Sequence, residues 1–178
     1  MRKFGKKHLE YLEIPRSEYF KSEINPYELS SIISGPEESK TEDEMYSILT
    51  SEINYKLTRI EGFLCFIGRS MISGAYHGYI GLQKGHDLYG YSKKDLNNIL
   101  KVHGGVTYAD HKLSVIDNSL FNEPLFWIGF DCSHSSDYKP FLRYNKGEPD
   151  TYRTFDYVLN ELDFLANQLK QNDGSFFF

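Results

Sequence analysis

Three short stretches hold most of the side chains in this chain that can do chemistry: "KGHDLYGY" (84–91), "VHGGVTYAD" (102–110) and "FDCSHSSD" (130–137). Each sets a histidine beside an acid or a tyrosine. In the third, Asp131, His134 and Asp137 could surround a metal ion, yet the spacing matches no established zinc pattern, and H-E-x-x-H and paired C-x-x-C are both missing. Cys132 with His134 or His103 could form a thiolate–imidazole pair, but no motif that orients a cysteine nucleophile accompanies it. In the second, the paired glycines Gly104 and Gly105 can bring main-chain N–H groups close to an anion, or simply stop a helix. In the first, Asp87 can orient His86 within a Gly-His-Asp turn, or the ring can stand exposed.

Several reaction classes have no local support. The chain contains no G-x-x-x-x-G-K-[ST], no G-x-G-x-x-G opening a helix and no G-x-S-x-G. What is left is a polar pocket of nonstandard design, and a binding pocket needs only a few donors, some rings and a shape.

Loops placed by a rigid scaffold are where ligand residues concentrate, and each stretch follows an apolar or helical segment. "LTRIEGFLCFIG" and "AYHGYIGLQ", separated by "SMISG", read as the two strands of a hairpin. "YSKKDLNNILK" reads as a short helix with Ser92 as N-cap and Asp95 three residues on. "VTYADHKLSVI" resumes as a strand or hairpin, and the almost continuously apolar "PLFWIGFDC" predicts a central strand covered on both faces. A long C-terminal helix capped by Asp150 or Thr151 carries Phe155, Val158, Leu162, Leu165 and Leu169 on one side. The expected class is α+β: an antiparallel or mixed sheet with that helix packed on one face. Residues 1–56 read as an N-terminal helical and loop appendage, with a capping box at Thr41 and Glu44, and residues 57–178 as the ligand-binding domain.

At 178 residues and 40% hydrophobic content the chain is long enough to bury a core of its own. Its net charge of −5 argues against polymeric nucleic acid and anionic membrane as partners, although the middle third is net basic and suits a small anion. Two cysteines make no disulfide framework, no stretch reaches the ~18 apolar residues of a membrane span, and the basic N-terminus lacks a following apolar region. A cytoplasmic, reduced protein is expected.

"GYIGLQKGHDLYGY", "VHGGVTYAD", "WIGFDCSHSSD" and "YRTFDYVLNELDFLANQL" together resemble a widespread family of small proteins from bacteriophages and related mobile elements, over residues 76–170. Val106 stands where that pattern has Leu, Ser133 where it has Ala, and Ser136 where it has Gly. The resemblance implies a phage product acting in the cytoplasm of an infected host. By analogy of context it also implies an anti-defence sponge that binds a cyclic nucleotide immune signal without cleaving it. In that reading Lys84, His86, His103, the Gly104 and Gly105 amides and Tyr108 meet phosphate or ribose. Tyr89 and Tyr91 stack on a base, and Asp131 and His134 complete the wall. The sponge requires no cofactor and no metal, and a homo-oligomer is compatible with it. Two alternatives are a small hydrolase, metal-dependent or His/Asp-dependent, using Asp131, His134 and His103 on a phosphorylated nucleotide, and a protein–protein inhibitor of a host defence protein.

Overall fold

The computed structural model describes residues 42–116, 121, 123–142 and 150–174, with the side chains of 42–46 excepted. Helix α1 (Glu42–Ser51) leads into β1 (Tyr55–Ile60), β2 (Phe63–Arg69) and β3 (Tyr76–Leu82). Helix α2 (Lys93–Ile99), the short β4 (Tyr108–Asp110), β5 (Phe126–Asp131) and helix α3 (Phe155–Gln171) complete the order. The strands form one antiparallel sheet in the order β1-β2-β3-β5-β4.

"LTRIEGFLCFIG" is therefore a hairpin in its own right rather than one strand. Glu61 (φ 50°) and Gly62 (φ 93°) both take left-handed backbone, the combination that a tight two-residue hairpin turn needs. The sheet gains a strand over the sequence reading because a Glu-Gly turn hides inside an apolar run.

Period-two alternation gives each face its own core. Cys65, Ile67, Tyr76, Ile80, Ile128 and Phe130 face α3, which answers with Val158, Leu162, Leu165, Ala166 and Leu169. On the reverse face Leu64, Phe66 and Trp127 lie under Leu113, Ile116 and Leu125 of the segment leading to β5. β5 is thus buried on both sides, as its apolar run predicts. Gly78 lets α3 approach: a Cβ there would stand 2.9 Å from the Phe130 ring and 3.1 Å from Leu162.

Ser92 caps α2 as expected, accepting from the Asp95 amide. The cap of α3 is Thr154, not Asp150 or Thr151. Thr151 is held in a parallel bridge with Asp137, its amide donating to Ser136 O, so the chain stays extended there and the helix starts later. The capping box expected at Thr41 and Glu44 lies outside the described side chains.

A boundary at residue 56 falls within β1. Just before it, Glu52 reaches the strand and helix starts: it accepts from Arg69 Nη2 (2.8 Å), from the Tyr152 hydroxyl and, through Oε1, from the Phe155 amide (3.1 Å). The Arg69 guanidinium is 3% exposed and donates further to Asn54, Gly74 O, Tyr76 and Tyr152. Removing one partner of a buried pair strands the other charge, at a cost of about 3–5 kcal/mol. Glu52→Ala is expected to lose that much stability in urea unfolding, and a midpoint within error of wild type would show that the pair does not hold the fold.

Candidate functional site

A dense polar arrangement that includes two histidines sits where the loop after β5 meets the start of α3. At its centre Asp137 is fully buried and accepts from four donors. His103 Nε2 (2.8 Å), the His134 amide (3.0 Å) and His134 Nδ1 (3.3 Å) all reach Oδ2, and Arg153 Nε (3.0 Å) reaches Oδ1. Burial alone would raise the pKa of this carboxyl, but the bonds from His103, Arg153 and the His134 amide overcome it and hold the carboxyl below its ordinary value. An ionised Asp137 requires the proton of a neutral His103 to sit on Nε2, which leaves Nδ1 to accept from the Tyr157 hydroxyl at 2.9 Å. The His103 amide in turn donates to Glu161 Oε2 (2.8 Å).

Local backbone explains each placement. His134 to Asp137 is a closed turn, with the Asp137 amide donating to His134 O (3.1 Å), and the bridge to Thr151 fixes its far end. Gly104 (φ 63°) seats the His134 ring, since a Cβ there would lie 2.0 Å from Cε1. Gly105 (φ 86°) has the same duty toward Asn97, whose side chain pairs with both the amide and the carbonyl of Val106. The Gly105 amide donates to Val102 O and is thereby engaged within the turn, while both glycines admit neighbouring side chains. Tyr157 and Glu161, one turn apart on α3, present themselves to His103 together.

The three chemical stretches do not converge. His103 meets α3 at Tyr157 and Glu161, within the helix, whereas His86 stands 3.8 Å from Asp173, beyond the last helical residue, Gln171. Lys84 and His86 line a separate cavity of about 900 Å³ with Arg59, Phe63 and Phe121. His86 is a wall of it: Nδ1 accepts from the Leu88 amide, burial lowers its pKa, and it faces Asp173 instead of Asp87, which accepts from the Gly174 amide. Tyr89 packs on His111 and Phe126 with its hydroxyl on Pro124 O, while Tyr91 is exposed. Tyr108 lies on the reverse face of the sheet against Tyr79, its hydroxyl donating to Lys112 O.

Asp131 accepts from the Ser133 amide and is paired in register with His77, away from the cluster. Asp137 takes the place expected of it. Cys132 is buried, and burial followed by the charge of Asp137 pushes its thiol well up, which disfavours the thiolate that nucleophilic attack needs.

Sequence reasoning named His103, Gly104 and His134 for this site and missed Arg153, Tyr157 and Glu161. The available signal was modest: an arginine just ahead of a helix cap, then a tyrosine and an acid at i, i+4. No family model, curated protein or solved structure matches the chain. No helix among the described residues is long and apolar enough to cross a membrane.

Another histidine that the sequence reading passed over sets an acid limit. Burial lowers the pKa of His77 from 6.5 to about 4, only partly opposed by Asp131. Between those values the unfolded chain binds a proton that the folded chain refuses, so stability falls as pH drops through this window and levels off below about 4. The loss amounts to roughly 3 kcal/mol at most. His77→Gln is expected to lose less stability than wild type between pH 7 and 4.5 in urea unfolding, with His86 supplying a residual slope of the same sign. An equal loss in both proteins would show that His77 is not the group responsible.

Proposed function

We propose that the chain captures a small phosphorylated ligand, of the cyclic nucleotide class, at the rim of the Asp137 cluster and releases it unchanged. The observation that carries this reading is the state of Arg153. Its Nε is tied to Asp137 and its guanidinium lies 4.8 Å over the Tyr157 ring, so the group is held while Nη1 and Nη2 make no bond to any described residue. A planar fork already oriented on a rigid base recognises phosphate or carboxylate in bidentate fashion, and loses little entropy in doing so. His134 stands beside it about one-third exposed. Lys139 adds positive charge, its Nζ donating to His134 O (2.7 Å).

Capture is favoured over cleavage by the side chains alone because the groups that would act as base or nucleophile without a metal ion are occupied. Both His103 ring nitrogens are bonded within the protein, and the Cys132 thiol is buried. The resemblance to phage proteins supplies the biological context, in which removal of a host immune signal is the benefit.

Calorimetry against cyclic di- and trinucleotides, followed by chromatography of the released ligand, tests the reading. Wild type should bind one of them, and Arg153→Lys, which keeps the charge but not the fork, should weaken binding roughly ten- to a hundredfold. Lys84→Ala, in the other cavity, should leave it unchanged. Recovery of a cleaved ligand would favour a hydrolase, and no binding across the panel would leave the protein–protein inhibitor as the better account.

A further inference from the structure

We infer that His103, His134 and Asp137 form a site for one divalent first-row transition metal ion, with Zn²⁺ or Fe²⁺ the chemical type. The site lies behind the Arg153 fork and does not rest on the ligand reading. One donor atom from each residue lies within 4.8 Å of the other two. His103 Nε2 and His134 Nδ1 stand 2.8 and 3.3 Å from the same oxygen, Asp137 Oδ2. Metal–ligand bonds of about 2.0–2.2 Å place neighbouring donors about 3–3.5 Å apart in octahedral or tetrahedral geometry, so both separations suit adjacent positions around one ion.

The crowding on Oδ2 is the second ground. Without a cation, one carboxylate oxygen must accept two ring N–H groups and the His134 amide, while among the described residues Oδ1 accepts from Arg153 alone. A metal ion replaces both ring protons at the point where the lone pairs converge. The His103 proton then moves from Nε2 to Nδ1, where the Tyr157 oxygen accepts it.

The surroundings are those a ligating set requires. The far nitrogen of His103 is held by Tyr157, the second oxygen of Asp137 by Arg153, and the His134 ring by its seat on Gly104. Two imidazoles with one carboxylate select zinc or iron over calcium or magnesium, which prefer all-oxygen cages. Three protein donors leave coordination positions open, and the partly exposed His134 marks the side from which solvent reaches them.

The test uses the full chain, dialysed against a chelator and titrated with Co²⁺ while visible absorption is followed, then with Zn²⁺ in competition. The expected result is one ion per chain with d–d bands of a nitrogen–oxygen site. His134→Ala, which removes a partly exposed ring, should weaken binding by about a hundredfold with unchanged far-ultraviolet dichroism. Tyr157→Phe should weaken it by about tenfold, as loss of a supporting hydrogen bond does. His103→Gln serves as a second ligand variant if His134→Ala fails to fold. Wild-type protein that takes up no stoichiometric ion, or folded ligand variants that bind as tightly as wild type, would overturn the inference. Binding of Co²⁺ without any nucleotide would uphold this site and defeat the capture reading, and the reverse pattern would do the opposite.

Discussion

An arginine with 3% of its side chain exposed stays charged only if its donors find acceptors, and Arg69 finds all of its partners at one junction. The acceptors come from four places: Glu52 at the turn out of α1, Asn54 before β1, Gly74 and Tyr76 at the start of β3, and Tyr152 before α3. Glu52 closes the arrangement by accepting from the Phe155 amide, one of the otherwise unsatisfied donors at the first turn of α3. One ion pair thereby fixes where the sheet ends and where the long helix begins. Burial raises the pKa of both tyrosine hydroxyls despite the charge of Arg69, so they remain neutral partners in the network.

The consequence for the site is geometric. Arg153 and Tyr157 flank Phe155, so the helix start that Glu52 holds is the one that carries them to Asp137 and His103. From there α3 acts as a strut along the sheet, with Tyr157 on the His103 ring near its start, Glu161 on the His103 amide near its middle and Asp173 beside His86 beyond its end. The cavity at the His86 end and the cluster at the His103 end are both placed against this one helix and the residues that follow it.

Much of this fold is legible in the chain. The apolar run of β5, the helical spacing of α3 and the Ser92 cap follow from local pattern and were found where expected. The β1–β2 turn was hidden because the charged Glu61 adopts left-handed backbone inside an apolar stretch, where glycine alone is the usual signal. The site was legible in part. His103, His134 and Asp137 stand out by type, but their meeting depends on residues 34 apart in sequence being joined by sheet and helix packing, and no spacing rule encodes that. Three histidine-bearing loops suggested one shared pocket. The sequence carries no measure of the distance along α3 that separates them.

The two nitrogens of His134 link the buried carboxylate to the open rim. With Asp137 ionised and no cation bound, the neutral ring carries its proton on Nδ1, directed at Oδ2, and Nε2 turns a lone pair toward its surroundings. A metal ion at Nδ1 would reverse this: the proton would be carried on Nε2, and the same atom would become a donor. Gly104 makes room for that ring, since a Cβ there would lie 2.0 Å from Cε1 and 2.2 Å from Nε2.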